Sequence, residues 1–141
     1  MHRRPLGRGR LLVVIGSVIS LVGCFLPWHS IGGSDGLPVI ASGGLGGSGI
    51  LTFLAAIGSL ALVALPYAAG GRPLVVDRTL TFVLLTGLAI VGLLIWPIDL
   101  IVAGAAEGLL PAQAPGFWLA GLGTIVMARG TYEVGREPPR L

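Results

Sequence analysis

Long apolar runs alternate along the chain with short stretches that carry its charged residues, and that pattern predicts the architecture. Four runs stand out, at about residues 11–28, 49–69, 79–98 and 115–132. A helix that crosses the hydrocarbon core of a bilayer needs about 20 residues, with a range of roughly 17–25. The first three runs reach that length without a charge; the fourth carries Arg129 in its last turn. An arginine there can extend its guanidinium to the headgroups while its stem covers apolar surface. The expected fold is an all-α membrane protein: a four-helix transmembrane bundle forming a single domain over residues 1–141.

Composition narrows the solvent. Of the 141 residues, 54% are hydrophobic and only 11% are charged, with a mean hydropathy of +0.93. A soluble domain carries about a quarter charged residues, so too few are present to face water everywhere. The nine basic residues are all arginine, a usage that fits a GC-rich bacterial genome. A net charge of +3 is no nucleic-acid signal, because the arginines flank apolar runs instead of clustering on a folded face. The single cysteine, Cys24, excludes an internal disulfide and a multi-cysteine metal site within the chain.

The arginines orient the chain. With the N-terminus in the cytoplasm, Arg3, Arg4, Arg8, Arg10, Arg72, Arg78, Arg129, Arg136 and Arg140 all fall inside. The two outer loops hold only the acids Asp35, Asp99 and Glu107. Short loops rich in arginine stay cytoplasmic, so both ends are placed there, in a multi-pass protein of the cell membrane. A three-span chain would put the last arginines outside. The aromatics agree with four spans: Trp28, Trp96 and Trp118 fall at outer ends, Tyr67 and Tyr132 at inner ends. Their amphipathic rings suit the headgroup level as interface anchors.

Helices in lipid associate where small residues let backbones approach. Gly16, Ser20 and Cys24 recur every four residues in the first run, as do Gly116, Ala120, Thr124 and Ala128 in the fourth. Each set lies on one helix face. Contact within the chain's own bundle is the favoured use of these faces, and dimerisation the alternative. Pro27, Pro66 and Pro97 are expected to mark helix ends or kinks, since proline lacks the donor and clashes with the preceding turn. The Gly-rich first outer loop, Trp28 to Ser48, has two readings. It forms a flexible cover, or a short β-hairpin pairing residues 28–31 with 37–41 around Gly33-Ser34-Asp35-Gly36.

A first span ending in Phe25-Leu26-Pro27-Trp28, then a Gly-rich loop and three further spans, resembles small four-span membrane proteins of GC-rich bacteria. That resemblance implies the layout and carries over no activity. A claudin-like reading is set aside, because the loop has no cysteine pair. Leu21-Val22-Gly23-Cys24 resembles a lipobox, but Phe25-Leu26-Pro27-Trp28 continues the apolar run where a polar tether belongs, so the N-terminal segment is expected to be retained.

Candidate chemistry is sparse. His29 with Asp35, and Asp99 with Glu107, read as solvated loop residues; a protein metal site wants three or four ligands. No Asp, Glu, Lys or His lies in the middle of a run, where ionisable groups mark ion paths and proton relays. No cofactor is expected. The bilayer is the first partner, and a second membrane protein or another copy of the chain the next. The favoured function is a non-enzymatic scaffold or accessory subunit that binds another membrane protein. A small oligomeric channel or transporter component is the alternative, and it would require a polar stripe along one helix.

Overall fold

The computed structural model describes residues 7–31, 38, 40–68 and 77–136. Arg3, Arg4, Arg72, Arg140, Asp35 and the expected turn at 33–36 lie outside these residues. Four helices account for most of the chain: α1 (Arg8–Phe25), α2 (Gly49–Ala68), α3 (Arg78–Val102) and α4 (Pro115–Arg136). Two strands, β1 (Pro27–Ile31) and β2 (Ile40–Gly43), follow α1, and short 3₁₀ turns cover Gly44–Gly46 and Ala106–Leu109.

Local chemistry sets the ends. Pro27 disfavours helical geometry at Leu26, whose ψ of 159° is extended, and α1 stops there. At the start of α3 the Asp77 carboxylate accepts from the Thr79 and Leu80 amides at 3.1 and 3.2 Å, filling two orphan donors of the first turn. Pro66 and Pro97 both lie inside helices, which run on to Ala68 and Val102. Proline keeps a helical φ and removes one donor, so the helix can continue past it. The stop for α3 is Gly104, at φ 73°. Its amide donates to Ile101 and that of Ala105 to Leu100, closing the last turn with a left-handed residue that favours glycine.

The first loop is a hairpin, antiparallel, with Ile31 opposite Ile40, Ser30 opposite Ala41 and His29 opposite Ser42. The second strand therefore lies further along the chain than the expected 37–41. Pro27 pairs with Gly43, which leaves Trp28 as the extra residue of a bulge. Bulges re-aim a side chain, and Trp28 is the one re-aimed.

The helices form a ring in which α1 touches α2 and α4, and α3 touches α2 and α4. The most extensive contact joins the first helix to the last. One end of the ring carries Arg8, Arg10, Arg78, Arg129 and Arg136; the other carries the hairpin, Asp99 and Glu107. Val13, Ala55, Phe82, Ala89 and Met127 belong to one core cluster, and Cys24, Trp28, Leu93 and Ala120 to a second beside the hairpin.

The exterior is unlike that of a water-soluble protein, and hydroxyls join the apolar core. Ser17, Ser20, Thr52 and Ser59 are fully buried, whereas Val18, Leu54, Leu84, Val91 and Ile125 are exposed. An apolar surface of this extent needs lipid to cover it. Helices α1, α2 and α3 are each long and apolar enough to cross a membrane. The chain is a multi-pass membrane protein. α4 has 22 residues, but Arg129, Glu133, Arg136 and its glycines dilute its hydropathy.

Candidate functional site

The most specific construction in the molecule is the seam between α1 and α4. Gly9, Gly16 and Gly23 on one helix face Gly130, Gly123 and Gly116 on the other. A Cβ placed on Gly116 would lie 2.6 Å from the carbonyl oxygens of Gly23 and Leu26, and one on Gly16 2.6 Å from the Gly123 carbonyl. A Cβ on Gly130 would lie 2.6 Å from the Val13 amide nitrogen. The two backbones touch directly, and any side chain would force them apart. The seven-residue spacing on both helices, close to two helical turns, keeps the glycines on the facing sides along the whole contact.

Hydroxyls stitch the ring. Ser20 donates to the Ala120 carbonyl at 3.2 Å and lies 3.4 Å from Thr124, whose own hydroxyl donates to the same carbonyl at 2.9 Å. Ser17 reaches the Met127 sulfur at 3.4 Å. Thr52 joins α2 to α3 through the Ala89 carbonyl at 3.0 Å, and Thr86 meets Thr131 between α3 and α4 at 2.9 Å. The Cys24 thiol, fully buried, donates weakly to the Gly49 carbonyl at 3.7 Å. Ser59 is buried, and its hydroxyl has no hydrogen-bond partner among the described residues.

The hairpin end is closed by aromatics. Trp28 is 2% exposed, and its indole donates at 2.9 Å to the Gly23 carbonyl, one of the orphan acceptors at the end of α1. Its ring meets Trp96 and Phe117 edge-on, with centroids 5.8 and 5.5 Å away. Gly44 and Gly49 make room for it: a Cβ on Gly44 would lie 2.6 Å from the indole. Trp28, expected at the lipid headgroups, is thus turned inward as a plug. Trp96 is half-buried beside it. Trp118 is exposed and donates to the Leu109 carbonyl at 2.7 Å, tying α4 to the preceding loop. Tyr67 and Tyr132 are exposed at the arginine end.

Gly16 and Ser20 on α1 therefore lie against Met127, Gly123 and Thr124 on α4, with Gly116 and Ala120 nearby against Gly23. Cys24 points instead to the start of α2, and Ala128 is half-buried at the α3–α4 seam. Sequence reasoning passed over Gly9, Gly23, Gly123 and Gly130; the sevenfold glycine spacing on both helices was the signal. His29 is half-buried, and Asp99 and Glu107 are exposed. Among the described residues no three of His, Cys, Asp and Glu come together to hold a metal ion. Comparison with models of known families, with curated proteins and with solved structures finds no match.

Proposed function

We propose that the chain crosses the membrane four times, with both ends in the cytoplasm, and serves as a non-enzymatic scaffold or accessory subunit for another membrane protein. The fourth crossing is supported by the α1–α4 seam. A Cβ on Gly9 would meet Val134 and one on Gly116 would meet Gly23, so α4 runs antiparallel beside α1 from end to end. A helix in that contact shares the depth of its neighbour. The five described arginines share one end, which the positive-inside tendency places in the cytoplasm.

The observation that carries the scaffold reading is where the polar groups go. Among the described residues seven buried Ser and Thr lie within the ring, and six of them bond other helices or other hydroxyls. Of the small-residue faces, Gly16, Ser20, Gly116, Ala120 and Thr124 are likewise taken up by the α1–α4 contact. What remains for a partner is the apolar outer surface and the hairpin. Two measurements test this. Reporter fusions after Asp35 and Glu107 should read outside, and those after Arg72 and Arg140 inside; an outside signal at Arg140 removes the fourth span. Affinity purification in mild detergent should recover one membrane protein in fixed proportion. A chain that purifies alone and conducts ions in planar bilayers would replace the scaffold by the channel.

A further inference from the structure

The seam between α3 and α4 opens at the arginine end into a groove of about 550 Å³. Val83, Gly87 and Ile90 of α3 and Ala128 of α4 form its walls, and Thr86 and Thr131 lie along its floor. Those two hydroxyls bond each other at 2.9 Å, so the floor asks for no polar ligand. Val83 and Ile90 are exposed at its edge, and no atom of the described residues lies within 4 Å of a Cβ on Gly87. From Thr79 at the mouth to Ile90 the groove follows α3 for eleven helical steps, about 16 Å at 1.5 Å per step. That is half of a hydrocarbon core about 30 Å thick, the depth of one leaflet.

The mouth is cationic. Arg136 and Tyr132 line it, with the guanidinium stacked 4.4 Å above the ring, a contact that holds the charge in place. Two described carboxylates share this end, and each is engaged by other groups: Glu133 pairs with Arg129 at 3.3 Å, and Asp77 accepts from the Thr79 and Leu80 amides. We propose that this groove holds one acyl chain of an anionic phospholipid, with its phosphate on Arg136. The bilayer supplies the occupant, the groove's length fits one leaflet, and arginine suits a phosphate by charge and by its forked donors. The site rests on the reading that α4 lies in the membrane.

The test is native mass spectrometry of the full chain in mild detergent, with phosphatidylglycerol and phosphatidylcholine of the same chains added in equal amounts. One phosphatidylglycerol should be retained in preference. Arg136→Gln should cut its retention about five- to tenfold, to the level of phosphatidylcholine. Gly87→Leu fills the groove from its open side and should lower retention of both lipids, with the melting temperature unchanged or raised. Equal retention of the two lipids by the unaltered chain overturns the proposal, as does wild-type retention by both variants. A lipid-free dimer that Gly87→Leu abolishes would give the groove to a second copy instead. An outward reporter after Arg140 would fail the four-span reading by itself, whereas equal lipid retention with an inward reporter would fail this site alone.

Discussion

Gly121 and Gly123 lie two residues apart on α4, yet a methyl group should separate them sharply. A Cβ on Gly123 would sit 2.5 Å from the Ser20 hydroxyl and 2.7 Å from the Gly16 carbonyl, while one on Gly121 meets no atom of the described residues within 4 Å. Backbone cannot retreat as a flexible side chain can, so overpacking here costs about 1–3 kcal/mol. Gly123→Ala and Gly16→Ala should therefore lower the melting temperature in detergent. Gly121→Ala should be neutral or raise it, since alanine in a helix is favoured over glycine by roughly 0.5–1 kcal/mol. Equal effects at 121 and 123 would remove the backbone seam as a source of stability. Glycine is common in membrane helices, and neither residue announces which helix it meets.

Between elements, hydroxyl bonds supplement the packing. α3 and α4 have a less extensive contact than α1 and α4, and the Thr86–Thr131 bond is the one hydrogen bond between their side chains among the described residues. A double-mutant cycle on Thr86→Val and Thr131→Val should give a coupling of about 0.6 kcal/mol, with roughly 1.7 kcal/mol as the upper end for such pairs in membranes. Zero coupling would reduce this pair to coincidental neighbours. The hairpin is an element of a different kind. Its strands are short, and its bulge sends Trp28 beneath it, so its position depends on an anchor buried in the bundle and not on the ladder alone.

For the molecule as a whole, Cys24 is a built-in reporter of assembly. It is the only cysteine in the sequence, and its thiol is sealed between the end of α1 and the start of α2. A maleimide should label the folded protein slowly in mild detergent and completely after denaturation. The same labelling, followed by intact mass, reads whether the segment before Cys24 is retained. Prompt labelling in mild detergent would mean that the hairpin end is open. A variant that loosens the α1–α4 seam, such as Gly23→Ala, should speed labelling, because Gly23 and Cys24 are neighbours on the same turn.

The apolar runs by themselves determined the number and approximate extent of the helices, because run length against bilayer thickness is a one-dimensional test. They also made small-residue faces visible on α1 and α4, since a spacing of four puts residues on one side of a helix. Helix ends were less legible at Pro66 and Pro97, where a proline removes only one donor and the helix continues; the stop at Gly104 required a left-handed residue seen in the backbone. Only the tertiary structure decided that the first helix pairs with the last, because partners 100 residues apart are chosen by matching surfaces and not by local pattern. It alone turned Trp28 inward, since the bulge and the cleared space at Gly44 and Gly49 arise from three segments brought together. The groove at α3–α4 belongs to the same class: it is a gap between two helices, and neither helix contains it.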